Sequence, residues 1–256
     1  MNRNRLDWIL WVLTLTAFCV VSCATANIKV QKQQGEALRN LGEEYYRQGD
    51  YTSALREFLK SEELYPDDPF LQNDLGLTYK AKKRLDLAAK HFKKALEIKP
   101  DYAPAKNNLG TVYLDKKEWD TAIKYFKEVS ENMLYATPHL ALANLGWAYY
   151  NKKDYTLSET YYLKALDVEP KFVNAQRGLG LTYIAMGRID EAVDILERAV
   201  KSYPNFVLLY DDLAKVYVLS YDYEKALDAY YKVIELAPGS AMAREAEKAV
   251  QRIKRY

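Results

Sequence analysis

The feature that most constrains the fold is a repeat of about 34 residues that covers most of this 256-residue chain. A leucine followed by glycine or alanine occurs six times, at spacings of 34, 34, 36, 34 and 34 residues. The six pairs are Leu41-Gly42, Leu75-Gly76, Leu109-Gly110, Leu145-Gly146, Leu179-Gly180 and Leu213-Ala214. Self-similarity at a fixed period of this length is typical of chains built from stacked supersecondary units. The sequence therefore predicts a linear array of six repeats and not two globular domains.

Within each repeat, further positions recur at fixed distances from the Gly or Ala. A tyrosine follows after three residues, a small residue after twelve, and a large apolar residue after sixteen. Small residues on two helices allow their backbones to approach closely, and the large residue fills the space beside them. Proline closes five of the six repeats, where it cannot continue a helix. Each repeat is therefore expected to be a pair of amphipathic helices.

This pattern resembles the tetratricopeptide (TPR) repeat, which implies an all-α fold. The expected architecture is a right-handed superhelix (an α-solenoid) of six helix-turn-helix repeats with a concave inner surface, followed by a C-terminal capping helix. The predicted repeats are 35–68, 69–102, 103–138, 139–172, 173–206 and 207–240, and the predicted capping helix is 241–256. The third repeat is two residues longer than its neighbours.

The first 22 residues are predicted to be a lipoprotein signal peptide, because a short positive stretch precedes an apolar run. Val20-Val21-Ser22-Cys23 then resembles the bacterial lipobox, which makes Cys23 the predicted lipidation site and 23–34 a lipid-anchored tether. The residue after the cysteine is Ala24 and not aspartate. By its resemblance to Gram-negative lipoproteins, the chain is expected at the periplasmic face of the outer membrane.

Two other interpretations of this segment stay open. Ala24-Thr25-Ala26 could be an A-x-A cleavage site for a secreted protein. Alternatively, residues 8–25 are just long enough for an uncleaved transmembrane helix, which would place the chain in the inner membrane as a signal anchor.

The composition argues against several classes of function. Lys and Arg number 37 against 35 Asp and Glu, so the broad basic surface of a nucleic-acid-binding protein is not expected. The two histidines, His91 and His139, lie far apart and outside any metal-ligand spacing, and no glycine-rich phosphate loop is present. We therefore expect no enzymatic activity, no catalytic residue, no bound metal and no cofactor.

By the TPR resemblance, a protein partner binds in the concave groove, which is lined by particular positions of each first helix. The sixth position carries Asn in three repeats, and Asn can pair with both polar groups of an extended peptide backbone. In the later repeats the groove becomes apolar and aromatic, with one arginine as a possible anion contact. The predicted groove residues are Asn40, Asn108, Asn144, Trp147, Tyr150, Arg177, Leu181 and Ile184.

A well-known TPR device, the carboxylate clamp, grips a C-terminal carboxylate with lysines and asparagines. This chain lacks the lysines, and Glu43 at a clamp position would repel a carboxylate. A partner that presents an apolar segment is therefore favoured over a chaperone tail.

Taken whole, the chain resembles the type IV pilus biogenesis lipoproteins of the PilF/PilW type. The resemblance rests on the lipobox, the six repeats, the capping helix and the lengthened third repeat, where Met133-Leu134-Tyr135-Ala136 leads to Ala143-Asn144-Leu145-Gly146. It implies a pilotin that helps the pilus secretin reach the outer membrane and assemble there, with a secretin subunit as partner. The alternative is a periplasmic TPR scaffold lipoprotein for peptidoglycan-remodelling or polysaccharide-export machinery, because a fold does not fix a function.

Overall fold

The computed structural model describes residues 28–131 and 136–255, and every regular element in these two ranges is a helix. The predicted all-α TPR solenoid of helix pairs followed by a terminal helix is therefore confirmed. The first helix, α1, covers 28–47, so residues 28–34, predicted as part of the tether, are helical and continue into the first repeat. The other helices are α2 (Tyr51–Leu64), α3 (Pro69–Ala81), α4 (Leu85–Ile98), α5 (Ala103–Asp115), α6 (Trp119–Ser130), α7 (Pro138–Asn151), α8 (Tyr155–Val168), α9 (Val173–Ala185), α10 (Ile189–Ser202), α11 (Val207–Leu219), α12 (Tyr223–Leu236) and α13 (Ala241–Ile253).

Three sequence predictions lie outside the described residues. They are the signal peptide, the lipidation of Cys23, and the Met133-Leu134-Tyr135 stretch of the third repeat. Across 28–131 and 136–255, no helix combines the length and the apolar character needed to cross a membrane.

The chain divides into two compact units, Met1–Val112 and Tyr113–Tyr256, called here the N-terminal and C-terminal units. In the N-terminal unit, Phe58, Leu71 and Leu75 form a buried cluster between α2 and α3. A larger core in the C-terminal unit includes Leu196 and Leu209. Most of the stabilising apolar burial therefore comes from helices that are neighbours in sequence.

The helix pairs close because glycine on the first helix leaves room for an aromatic ring from the second. A Cβ atom placed on Gly42 would lie 2.5 Å from Phe58 Cε1, and one placed on Gly76 would lie 2.5 Å from Phe92 Cε1. Both phenylalanines are almost completely buried. The sixteen-residue spacing in the sequence is thus the distance from each glycine to the ring that packs on it.

The turn between the two helices of each repeat contains one residue with positive φ. These residues are Gly49, Lys83, Lys117, Lys153, Gly187 and Tyr221, with φ between 60° and 79°. In three of the turns the next residue is an aspartate that caps the second helix, as when the Asp50 carboxylate accepts a hydrogen bond from the Ser53 amide at 3.0 Å. The residue with positive φ allows the chain to reverse direction between the two helices, and in these three turns the aspartate cap fixes where the second helix begins.

The last helix, α13, begins after Ser240, whose hydroxyl accepts a hydrogen bond from the Ala243 amide at 3.0 Å. It packs on α12 and buries Ala246 and Val250 in the core of the C-terminal unit. The apolar side of α12 that faces away from the preceding repeats is thereby covered by α13.

Candidate partner-binding groove

A cavity of about 280 Å³ opens in the C-terminal unit between α7 and α9, the first helices of the fourth and fifth repeats. Asn144 and Trp147 contribute to it from α7, and Arg177 and Leu181 contribute from α9. Four of the eight residues predicted for the groove therefore line one cavity. The side chains meet because first helices of consecutive repeats lie side by side and present the same register positions.

The walls of this cavity are largely apolar and aromatic. Leu140 and Phe172 line it together with Trp147, whose side chain is 40% exposed. The Trp147 indole stacks on the Tyr150 ring, with centroids 5.3 Å apart and an 8° angle between the planes. An exposed aromatic side chain held in one orientation loses little entropy when a partner covers it, as is typical of interaction hot spots.

The charge of Arg177 is already matched inside the protein. Its Nε donates to Asp212 Oδ2 at 2.5 Å, and the Asp212 side chain is only 3% exposed. Burial raises the pKa of Asp212, although the hydrogen bond and charge of Arg177 oppose that shift. An anion at Arg177, as considered from the sequence, would have to compete with a buried carboxylate.

Two polar side chains of the cavity, Asn174 and Tyr162, were not predicted as part of the groove. The Tyr162 side chain comes from α8, is 2% exposed, and lines the cavity where the first helix of the fifth repeat carries Gly178. A Cβ atom on Gly178 would lie 2.2 Å from Tyr162 Cζ and 2.5 Å from its hydroxyl oxygen. Burial raises the pKa of Tyr162, so the phenol is neutral and can donate a hydrogen bond.

A sequence signal for Tyr162 exists in the comparison of repeats. Position six is Asn or Asp in five repeats and Gly178 in the fifth, while the preceding ring position changes from Phe in the first three repeats to Tyr162. The two changes are matched, because the missing side chain provides the space into which the longer phenol reaches.

The remaining predicted groove residues lie elsewhere. Tyr150 adjoins the cavity through its stack with Trp147, and Ile184 packs against the core of the C-terminal unit. Asn40 and Asn108 belong to the N-terminal unit. Asn40 is exposed, whereas Asn108 Nδ2 donates to Asn73 Oδ1 at 2.9 Å, which links two neighbouring first helices.

The histidines have packing roles. His91 is buried, its Nδ1 is 2.8 Å from Gln72 Oε1, and its ring stacks on Tyr79. His139 packs edge-on against Phe172, with ring centroids 5.0 Å apart. Within the described ranges, no group of three or more His, Cys, Asp or Glu side chains is arranged to hold a metal ion.

Family comparisons agree with this helical architecture. Tetratricopeptide repeat models match residues 33–101 and 101–171, and further models of that description match 143–205 and 177–241. These matches cover far more than half of the chain, so the protein belongs to the tetratricopeptide repeat family. Proteins of this family are generally non-enzymatic adaptors that bind protein partners.

Two solved structures share the fold over most of the chain. PilW, described as a widely conserved type IV pilus biogenesis factor, matches with a TM-score of 0.77 and 21% identity, over 83% of this chain and 98% of PilW. PilF of Pseudomonas aeruginosa matches with a TM-score of 0.72 and 18% identity, over 86% of this chain and 99% of PilF.

A curated relative is anaphase-promoting complex subunit 3 of Schizosaccharomyces pombe, which is 36% identical over 92 residues. The matched region is 36% of this chain and spans only 14% of that subunit.

Proposed function

We propose that this protein is a lipid-anchored pilotin that binds a secretin subunit and assists its localisation and assembly in the outer membrane for type IV pilus biogenesis. The observation that carries the proposal is the cavity beside the exposed Trp147–Tyr150 stack. The likeness of the fold to PilW and PilF, over more than four fifths of the chain, supports the choice of pathway.

The chemistry of the cavity favours a partner segment with an apolar or aromatic side chain. Leu140, Phe172 and Trp147 provide apolar area, and the neutral Tyr162 hydroxyl can donate a hydrogen bond to a backbone carbonyl. Because Arg177 is balanced by Asp212, the cavity carries no large net charge that would select a charged side chain. The segment is therefore held by apolar burial, with a few hydrogen bonds that fix its direction.

The mechanism is transport by association. A diacylglycerol and an acyl chain on Cys23 supply more than one hydrocarbon chain, which is what stable anchoring requires. The groove carries the secretin segment, so that the subunit travels to the membrane in which the lipid is embedded.

The proposal is tested by affinity purification from detergent extracts. Wild-type protein is expected to recover a large, heat-resistant secretin ring, and Trp147→Ala is expected to reduce recovery at least about tenfold, as for an aromatic hot spot. Leu163→Ala is the matched control, because Leu163 is 42% exposed on α8 but is not among the cavity-lining side chains. Recovery of cell-wall hydrolases or polysaccharide-export proteins without secretin would contradict the proposal.

The anchor is tested separately by Cys23→Ser. The substitution removes the thiol that receives the lipid, so the protein is expected to leave the membrane fraction. Continued tight association with membranes would favour an uncleaved transmembrane helix over 8–25 instead.

A further inference from the structure

A second cavity, of about 260 Å³, lies in the N-terminal unit and is called here the N-terminal pocket. Glu43 and Tyr46 of α1, Phe58 of α2, and Asp74 and Leu77 of α3 line it. It therefore combines two carboxyl groups with two aromatic rings and one aliphatic side chain, and the Arg47 side chain lies at its border. None of the groove residues predicted from the sequence is among these five.

The charges around this pocket do not balance. The Arg39 guanidinium faces three carboxylates, with distances of 2.6 Å to Asp68, 3.2 Å to Glu43 and 3.9 Å to Asp74. When all three carboxyl groups are ionised, one positive charge cannot compensate three negative charges that lie so close together. A further cation beside Glu43 and Asp74 would reduce this excess.

Asp74 also has an unfilled hydrogen-bonding position. Its Oδ2 atom is buried and accepts no hydrogen bond within the described part of the chain. A buried acceptor without a donor is costly, since it has lost its water and gained nothing in return. In the same cluster, Asp68 Oδ2 accepts a hydrogen bond from Arg39 Nη1 at 2.6 Å, whereas Arg39 Nε and Asp74 Oδ2 are both buried without a hydrogen-bond partner.

Burial and the neighbouring Glu43 carboxylate, opposed by Arg39, together raise the pKa of Asp74 to about 8. At neutral pH the Asp74 carboxyl group therefore takes up a proton where no cation is bound. The charged and titratable groups that face Asp74 from the surrounding helices are Arg39, Glu43, Tyr46, Asp68 and Tyr102. Of these only Arg39 is a cation, and its shortest ion pair is with Asp68.

The remaining walls suit the stem of a long cationic side chain. The half-buried Tyr46 ring and Leu77 side chain offer apolar surface to methylene groups, and aromatic faces also attract cations. Arg47 borders the pocket, but its guanidinium pairs with Glu44 and its side chain is 71% exposed. It therefore remains in solvent and forms its ion pair with Glu44 and not with Glu43 or Asp74.

We propose that the N-terminal pocket binds a lysine or arginine side chain of a partner protein, with the cationic group between Glu43 and Asp74 and its stem against Tyr46 and Leu77. The assignment of the occupant to a protein rests on the proposed adaptor function. The pocket's affinity for a cation is independent of which partner, secretin or another, the C-terminal cavity binds. The pocket would bind a cationic group, whereas a carboxylate clamp binds an anionic one.

The test is isothermal titration calorimetry of the full chain in detergent with N-acetyl-lysine methylamide, using N-acetyl-norleucine methylamide as the uncharged control. The lysine probe is expected to bind at least about tenfold more tightly than the norleucine probe. Its association constant should fall by up to tenfold for each pH unit below 8, because the ammonium group must displace the proton on Asp74. We expect at least a tenfold difference between pH 8.5 and pH 6.5.

Two variants locate the site. Asp74→Asn is expected to weaken lysine binding at least tenfold at pH 8.5 and to abolish the pH dependence; the chain itself carries Asn at the same position in three other repeats. Glu43→Gln, at a more exposed position, is expected to weaken binding as well. Glu36→Gln is the control and should leave binding unchanged, because Glu36 is equally exposed on the same helix but pairs with Lys32. Equal binding of the two probes, no binding at pH 8.5, or unchanged binding in Asp74→Asn would overturn the assignment, even if the secretin were recovered.

Discussion

The matched pair of Gly178 and Tyr162 yields a quantitative prediction for the substitution Gly178→Ala. A single methyl group is added on the cavity-facing side of α9. It would be placed 2.2 Å from Tyr162 Cζ, 2.4 Å from Cε1 and 2.5 Å from the hydroxyl oxygen. Contacts below 3.0 Å are not tolerated, so either the ring or the helix must move by about 1 Å.

The expected loss of stability in Gly178→Ala depends on how little space the Tyr162 ring has to move. Tyr162 is 2% exposed, and its ring is also held by Gly146, where an added Cβ would lie 2.8 Å from Cδ1. Overpacking of this kind costs about 1–3 kcal/mol, while replacing glycine by alanine inside a helix gains up to about 1 kcal/mol. We expect Gly178→Ala to lower the free energy of unfolding by about 1–2 kcal/mol.

Urea denaturation followed by circular dichroism measures this difference, and a double-mutant cycle identifies its cause. In a Tyr162→Leu background the clashing ring atoms are absent, so Gly178→Ala should become stabilising by about 0.5–1 kcal/mol. A reversal of sign between the two backgrounds would support the steric explanation. An equal effect of Gly178→Ala in both backgrounds, or a stabilising effect in the wild-type chain, would refute it.

Three further outcomes are expected. Tyr221 has φ 61°, a backbone conformation that favours glycine, and its side chain is 77% exposed, so Tyr221→Gly should raise the thermal midpoint by about 2–4 °C. Gly187→Ala, at φ 74°, should lower the thermal midpoint for the same reason. Calorimetry measures both changes. The pKa of Asp74 in the folded state is raised to about 8, so protonated Asp74 stabilises the fold fully below about pH 4. This stabilisation is lost as the pH rises towards 8. Urea titrations at several pH values should show that Asp74→Asn removes this pH dependence. Arg177→Met leaves the buried Asp212 carboxylate unpaired, so it should lower the free energy of unfolding by about 1–3 kcal/mol at pH 7.5. The loss should be smaller at pH 4.5, because the Asp212 carboxyl group takes up a proton there. An equal loss at both pH values would contradict that explanation.

The helix pairs could be predicted from the sequence because their determinants are local and repeated. The glycine and the ring that packs on it are sixteen residues apart in the same repeat, as for Gly42 with Phe58. The positions that face a neighbouring repeat follow from the same period. For this reason the sequence places Asn144, Trp147, Arg177 and Leu181 in one groove, and the structure places all four around one cavity.

The 34-residue period does not reveal which charged side chains of neighbouring repeats contact one another, or how deeply they are buried. The Arg39 and Asp68 side chains are 29 residues apart in sequence, and nothing in the composition indicates that Asp74 would share the same cation. The depth at which a carboxylate is buried decides whether it keeps its charge, and this depth depends on the three-dimensional packing of several helices. Similarly, the repeat pattern places Tyr162 at a large packing position, whereas the polar role of its hydroxyl depends on the absence of a side chain at Gly178.

The contacts between neighbouring repeats have a consequence for how the chain acquires its structure. The hydrogen bond from Asn108 to Asn73 and the ion pair of Arg177 with Asp212 each join residues 35 positions apart. Contacts of such short range cost little loop-closure entropy and are typical of fast folding. At synthesis rates of about 5–20 residues per second, each repeat meets its partner within a few seconds of emerging from the ribosome. Folding can therefore advance with the growing chain, without waiting for its end.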